Sequence, residues 1–355
     1  MRRMNAAIAA SDQLGTDEPT ADEPTADEHG AVMVFVAISL VALIGFMAFA
    51  VDFGRIYVER HQLQTGADAA ALAVAADCAG GECGAYAANA ELYADANAHD
   101  GAAWVRELDL DLGARKVRVG TATETAGGGN VFDMVFAPIV GFDGLTVGAD
   151  STVAWGSPQS LTSLPLTFSQ CEWQAFGGSA VSVDSLPPAV TGYAAAGTPK
   201  TIYFHGSHPD CHESSSGQDL PGGFGWLAAG GQCQVDIDVG AWLLVDTGNS
   251  PSNGCNSSQL DAALGTIVLL PYFDDTTGTG SGGKYHIEGF GAFYLTGYYL
   301  GGGDWTRNSI VTGNPPCTGS DRCIQGYVVG DYVSSDDDGV LGGIDRGVTI
   351  IKFVG

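Results

Sequence analysis

The pattern of apolar and polar positions separates an N-terminal tail from a membrane-length helix. Residues 1–30 include the repeat TDEPTADEPTADE and cannot bury enough apolar surface to offset the entropy of ordering. Residues 31–51 follow as a run of 21 residues without a charge. As a helix this run is about 31 Å long, which matches a hydrocarbon core of ~30 Å. We predict a disordered acidic tail over 1–30 and a transmembrane anchor over 31–51.

The helical periodicity continues past the apolar run. Apolar residues recur at three- and four-residue steps, at Phe53, Ile56, Tyr57, Leu63, Ala67, Ala70, Ala71 and Val74. One extended helix over 31–77 is therefore predicted, with an alanine-rich part that another helix can approach closely. The expected contact residues are Asp52, Gly54, Ala67, Ala70 and Ala71. Asp52 would neutralise Arg55 or a partner's charge, or act as an ordinary solvated boundary residue.

Two further segments complete the predicted α+β fold. Residues 78–160 predict a small α+β domain. Its expected helices are Tyr86–Ala98 and Val131–Val140, and its expected strands are Val105–Leu112, Arg115–Thr123 and Thr146–Trp155. Residues 161–355 predict a β-rich domain with helical character only at Ser258–Leu264. Its expected strands are Thr201–His205, Gln234–Val245, Thr266–Tyr272, Tyr285–Tyr299, Gln325–Tyr332 and Val348–Val354.

Charge narrows the set of partners. The chain has 41 acidic and 14 basic side chains, for a formal net charge of −27. Nucleic acids require a positive surface, and anionic lipid headgroups attract polybasic segments. The acidity therefore argues against nucleic acid and against a polybasic membrane patch.

Cysteines indicate the compartment. All eight follow the anchor, and an even number in a Gly-rich β context is typical of a disulfide framework and an oxidising compartment. They are Cys78, Cys83, Cys171, Cys211, Cys233, Cys255, Cys317 and Cys323. Short spacings predict local bridges Cys78–Cys83 and Cys317–Cys323; the pairing of the other four stays open. These cysteines favour an extracytoplasmic C-terminal part, although Arg55 and Arg60 flank the anchor on that side, against the positive-inside rule.

Residues 29–77 carry a family resemblance. The features are a GAV start to the apolar run, AVDFGR at its end, an ER-QLQ segment and an ADAAALA run. In these the segment resembles TadE/TadG-like proteins of the bacterial Tad (Flp) pilus-assembly system. The resemblance implies a membrane-anchored, pilin-like or pilus-associated protein without catalytic activity or cofactor. Prepilin-like members are cleaved after a Gly and carry Glu at the fifth mature position. Here Phe35 is fifth after Gly30, so we expect the anchor to be retained.

Two metal hypotheses rest on clustered ligands. His205, His208, Cys211 and His212 could bind zinc, but no CxxC pair accompanies them and a disulfide is the simpler use of Cys211. A weak calcium candidate is Asp336, Asp338 and Asp345, which with Ser334 and Gly339 follow an EF-hand-like spacing. A solvated acidic turn is the competing interpretation.

Asp246 raises a catalytic alternative. It lies in LVDTGNS, which is similar to the aspartic-peptidase signature. That chemistry needs two carboxylates that share a proton, and Asp275 in DDTTG does not match the motif. A turn is therefore the preferred interpretation of this segment.

The leading hypothesis is a non-enzymatic, single-pass protein of pilus assembly with an extracytoplasmic C-terminal domain. Its expected partners are the membrane and pilin or assembly-platform proteins, with self-association through the helix as a further possibility. The alternative is a cell-wall or carbohydrate-binding surface module, for which Trp226, Trp242 and Trp305 are the candidate stacking residues. A peptidase centred on Asp246 ranks below both.

Overall fold

The computed structural model describes most of the chain in two units. The first unit is Met1–Tyr57 with Asp133–Gly144, and the second is Val58–Phe132 with Leu145–Gly355. The described residues are 26–98, 103–124, 129, 131–142, 144–177, 180–187, 198–204, 223–246, 250–335 and 339–354. The tail predicted over 1–30 lies largely outside them.

Helix α1 is the N-terminal element of the described chain. It spans Ala26–Ala79, which confirms the long helix expected over 31–77 and extends it at both ends. In the first unit its large apolar side chains are exposed, with Met33 at 75% and Phe46 at 74%. From Val32 onward the helix is long and apolar enough to cross a membrane. Every interior backbone group of a helix is paired within it, so such a segment is stable in lipid.

The second unit contains the other helices and the strands. The helices are α2 (Tyr86–Asn97), α3 (Gln170–Gly177) and α4 (Ser257–Ala263). The first eight strands are β1 (Ala103–Asp111), β2 (Lys116–Thr123), β3 (Gly148–Gly156), β4 (Pro158–Ser163), β5 (Leu166–Ser169), β6 (Lys200–Tyr203), β7 (Phe224–Trp226) and β8 (Val235–Asp238). The others are β9 (Trp242–Leu244), β10 (Ile267–Thr277), β11 (Lys284–Tyr299), β12 (Thr306–Arg307), β13 (Cys323–Val329), β14 (Tyr332–Ser335), β15 (Val340–Leu341) and β16 (Val348–Phe353).

The described strands form three sheets. One has the order β1-β2-β3-β16-β14, a second follows β6-β13-β11-β10-β5-β7, and a third is β15-β4-β8. Strands β9 and β12 also pair with β11. These sheets with the helices confirm the α+β class. Strand β16 from the chain's end pairs with β3, so residues on both sides of position 160 share one sheet. The domain boundary at that position stays a prediction.

One face of α1 from Leu63 onward is buried inside the second unit. Leu63 and the small residues that follow it on the same face are at most 1% exposed: Ala67, Ala70, Ala71, Val74 and Ala75. A Cβ on Gly66 would lie 3.0 Å from the Ala94 carbonyl oxygen, so α2 packs against α1 at backbone distance. Thr121 Oγ1 donates to the Leu63 carbonyl at 2.8 Å, and Thr123 Oγ1 donates to Glu59 Oε1 at 2.9 Å. Both hydrogen bonds join β2 to the helix.

Aromatic side chains fill the core of the largest sheet. Each of the following is at most 1% exposed: Phe168, Phe224, Trp226, Tyr272, Phe293 and Tyr298. Helix α4 begins with a capping box, in which the Asn256 side chain accepts from Gln259 N and the Gln259 side chain accepts from Asn256 N. Leu260 and Ala263 of α4 pack into the same core.

Several sequence expectations differ from the structure. Helical character within 161–355 is not limited to Ser258–Leu264, since α3 (Gln170–Gly177) is a second helix there. Positive-φ residues interrupt two of the predicted strands. The strand predicted over Gln234–Val245 divides into β8 and β9 at Gly240, whose φ is +87°. The strand predicted over Gln325–Tyr332 ends before Asp331, whose φ is +49°. The helix predicted over Val131–Val140 is reduced to the 3₁₀-helix Ala137–Val140.

Disulfides occur where the short spacings predict them. Cys78–Cys83 and Cys317–Cys323 are bridged, and a third bridge joins Cys233 to Cys255 across 22 residues. Cys171 is disulfide-bonded as well, whereas Cys211 lies outside the described residues.

We predict that Gly291→Ala destabilises the second unit. A Cβ at Gly291 would lie 2.1 Å from Cζ2 of Trp173, whose ring stacks on Tyr272. Overpacking of this kind costs about 1–3 kcal/mol. The measurement is thermal unfolding of the detergent-solubilised chain. Gly302→Ala is the matched control, since nothing lies within 4 Å of a Cβ there and φ is −79°. Equal unfolding midpoints for Gly291→Ala and Gly302→Ala would contradict the close packing of Gly291 against Trp173.

Candidate functional site

Asp52 lies at the end of the charge-free run, and its carboxylate binds a distant backbone segment of the same unit. Its Oδ1 accepts the N–H of Val135 at 2.9 Å. Its Oδ2 accepts the N–H groups of Phe136 at 3.0 Å and Ala137 at 2.8 Å. The residue is 7% exposed. Three consecutive donors therefore hold one buried carboxylate at the start of the 3₁₀-helix.

The segment bound by Asp52 also satisfies part of its own backbone. We call residues 134–142 the apolar loop. Ile139 N–H donates to the Phe136 carbonyl, Gly141 N–H to that of Pro138, and Phe142 N–H to that of Ala137, all within 3.1 Å. Gly141 ends the turn with φ of +90°, a conformation that glycine adopts without strain.

The apolar loop and α1 enclose a groove of about 690 Å³ within the first unit. Its lining consists of Val41, Ile44, Gly45, Ala48, Phe49, Asp52, Phe53, Ile56, Met134, Phe136, Ala137, Ile139 and Phe142. Asp52 is the sole ionisable residue of that lining. At the loop's surface, Ile139 is 80% exposed and Phe142 is 68% exposed.

The hydrogen bonds of Asp52 were not predicted from the sequence. The expectation was neutralisation of Arg55 or of a partner's charge, or solvation, and Arg55 does attract the carboxylate electrostatically. The donors, however, come from residues 83 to 85 positions later. The charge-free run 134–142 between Asp133 and Asp143 is the signal that could have indicated the loop. Gly54 faces open space, since nothing lies within 4 Å of a Cβ at that position.

The alanines expected to contact another molecule are used inside the chain. Ala67, Ala70 and Ala71 are each 0% exposed in the second unit. An intermolecular contact through them would require the helix to leave this buried position, and it stays a prediction. The close approach that the structure shows in this stretch is that of Gly66 to the Ala94 backbone of α2.

Asp246 organises a turn. Its Oδ2 accepts from the Ser252 hydroxyl and from Asn253 N–H, both at 2.9 Å. Ser252 Oγ in turn accepts Ala229 N–H at 3.0 Å. These contacts give the Asp246 carboxylate a structural use, while residues 247–249 of LVDTGNS lie outside the described residues.

The metal candidates fall mostly on residues that are not described. Asp336, Asp338, His205, His208, Cys211 and His212 lie outside the described residues. Asp345 is described, and its Oδ1 accepts Gly347 N–H at 3.1 Å. Within the described ranges, no group of three or more His, Cys, Asp or Glu side chains is arranged to hold a metal ion.

The three tryptophans considered for sugar stacking differ in exposure. Trp226 is 1% exposed and Trp305 packs against the same aromatic core, so both serve packing. Trp242 on β9 is 42% exposed, with its ring centroid 5.1 Å from that of His286.

Several charged groups of the second unit form ion pairs. A polar groove of about 810 Å³ contains Lys116, Arg118 and Asp150. Asp150 accepts from Arg106 at 2.6 Å and lies 3.5 Å from Arg118. Elsewhere, Asp261 of α4 accepts from the Tyr298 hydroxyl at 2.6 Å and pairs with Arg307.

Burial changes the acidity of two core tyrosines. Desolvation raises the pKa of Tyr285 to about 12. Desolvation, reinforced by the hydrogen bond to Asp261, raises the pKa of Tyr298 as well. Both phenols therefore stay neutral to a higher pH than an exposed tyrosine, as suits their place in the core.

Comparison with known proteins gives one match. The family described as "Putative Flp pilus-assembly TadE/G-like" matches residues 30–77, which confirms the resemblance for that segment. A search of curated proteins and a search of solved structures found no match. The matched segment coincides with most of α1. Together with the apolar helix it supports a membrane-anchored, pilus-related protein.

We predict that Asp52→Ala releases the apolar loop. Without the carboxylate, the N–H groups of Val135, Phe136 and Ala137 lose their acceptor, and an unmade buried hydrogen bond is costly. Limited chymotrypsin digestion in detergent should cleave at Phe136 and Phe142 several-fold faster than in the unmodified chain. Asp52→Asn should be intermediate, because the amide keeps one acceptor oxygen. Asp109→Ala on exposed β1 is the control, and equal cleavage of it and Asp52→Ala would refute the tether.

Proposed function

We propose that this chain is a non-enzymatic, single-pass membrane protein that acts in assembly of a Tad/Flp-type pilus. The observation that carries the proposal is the overlap of the family match at 30–77 with the apolar part of α1. That part is 0% buried and has a mean hydropathy of 2.8, so its exposed surface suits lipid or other transmembrane helices.

Disulfides support an extracytoplasmic second unit. Bridges such as Cys233–Cys255 persist in oxidising compartments and are rare in the cytosol. Arg55 and Arg60 oppose this orientation by the positive-inside rule, but long domains translocate largely regardless of charge. We therefore place the C-terminal part outside the cytoplasm.

We assign lateral contact with pilin or assembly-platform helices to the first unit. Its helix has exposed apolar side chains over 32–51, and Gly54 leaves room for close approach. Self-association of this chain would use the same surface. Phe35 in place of the prepilin Glu supports retention of the anchor rather than processing at Gly30.

Loss of the chain should abolish or strongly reduce surface pili in its host. The chain supplied from a plasmid should restore them, counted by electron microscopy, whereas a chain with four exposed positions of the run changed (Leu40, Leu43, Met47 and Phe49 to Asp) should not. The Asp109→Ala chain is the control, and it should restore pili as the unmodified chain does. Unchanged piliation after deletion of the gene would refute the assembly role.

Orientation is tested by labelling with an impermeant maleimide. Single cysteines are placed at Ser11 in the tail and at Ser281 in the exposed 3₁₀-helix Gly280–Gly282. In spheroplasts we expect labelling of Ser281→Cys and no labelling of Ser11→Cys. Both should react after lysis, which controls for accessibility. Labelling of Ser11→Cys alone in spheroplasts would show the opposite orientation, with the tail outside the cytoplasm.

A further inference from the structure

The apolar loop lies beside the part of α1 that belongs to the charge-free run. The groove between them includes Val41, Ile44 and Phe49 of the helix together with Ile139 and Phe142 of the loop. All three helix residues lie within 31–51, the segment assigned to the bilayer. Asp52, Phe53 and Ile56, which follow that segment, line the groove as well, so the loop lies beside the end of the bilayer segment, at the membrane interface.

The loop's backbone has the partners that the membrane interface requires. Irregular backbone exposed to lipid does not occur in the hydrocarbon core, where each unsatisfied polar group costs several kcal/mol, so the backbone of this loop belongs at the interface with its polar groups satisfied. Asp52 accepts the N–H groups of Val135, Phe136 and Ala137. Pro138 has no N–H, and the following turn is closed by bonds inside the loop. An ionised carboxylate is well suited to three donors, since charge-assisted hydrogen bonds are the stronger kind.

The surface of the loop is apolar where it is most exposed. Ile139 and Phe142 are exposed by 80% and 68%, and no charged residue occurs between Asp133 and Asp143. Exposing two such side chains to water forfeits the free energy of burying them. Segments that bind a membrane at its interface do so by burying apolar side chains of this kind at the headgroup–acyl boundary.

We propose that the apolar loop is a second element in contact with the membrane. It inserts the Ile139 and Phe142 side chains into the leaflet from which α1 emerges after Val51. The occupant of this surface is the lipid bilayer, and Asp52 is the positioning residue that holds the loop against the helix. The inference rests on the proposed membrane anchoring and adds a second point of lipid contact.

The test measures depth in vesicles that contain the full chain. Described cysteines other than those introduced are disulfide-bonded, so an engineered cysteine can carry an NBD fluorophore without reduction. Ile139→Cys and Phe142→Cys are labelled and reconstituted in phosphatidylcholine with acyl-chain doxyl lipids. Leu112→Cys, an exposed apolar position of the β1–β2 turn, is the water-side control. Leu40→Cys, within the charge-free run, is the lipid-side control.

We expect blue-shifted emission at positions 139 and 142 and several-fold more quenching there than at Leu112. Asp52→Ala should reduce the quenching at Phe142→Cys. Unquenched emission at 139 and 142 beside strong quenching at Leu40 would overturn the loop's insertion and leave the anchor intact. Blue-shifted but unquenched emission would overturn it in favour of a protein contact. Absence of quenching at Leu40 would refute membrane anchoring and the inference together.

Discussion

Burial of the alanine-rich half of α1 is the constraint on which the second unit depends. Gly66 meets the Ala94 backbone of α2, and β2 donates from Thr121 and Thr123 to Leu63 and Glu59. Larger side chains on this face would separate the elements, since interiors are close-packed. Small residues here therefore serve the chain's own fold, while the exposed apolar side chains of the helix lie over 32–51.

The elements with a local signal were predictable, and those fixed by distant partners were not. The uncharged run and the three- and four-residue periodicity were sufficient for α1, and the local alternation in β1 and β2 was sufficient for their hairpin. Strands β4 and β5 were missed, because these short segments are defined by pairing with strands far along the chain. Helix α3 was missed as well, since it is short and packs on strands distant in sequence such as β10. The hydrogen bonds of Asp52 were unpredictable for a similar reason, since no local sequence pattern connects its carboxylate to the N–H donors at 135–137.

The family match and the disulfides describe different parts of the chain. The match covers 30–77 and thus concerns α1, while the bridges at Cys233–Cys255 and Cys317–Cys323 lie in the strand-rich part. Membrane anchoring and pilus assembly are consequently argued from the helix. The compartment is argued from the cysteines, and these two lines of reasoning do not depend on each other.

The position of Asp52 also determines which side of α1 remains available to a partner. Two residues along an α-helix correspond to a rotation of about 200°, so Gly54 lies nearly opposite Asp52. The apolar loop occupies the side of Asp52, together with Gly45 and Phe49 of the groove. A Cβ at Gly54 would meet no atom within 4 Å, which leaves the opposite side open to a neighbouring helix. Lipid contact through the loop and lateral contact through Gly54 are therefore compatible on one helix, because they use different sides of it.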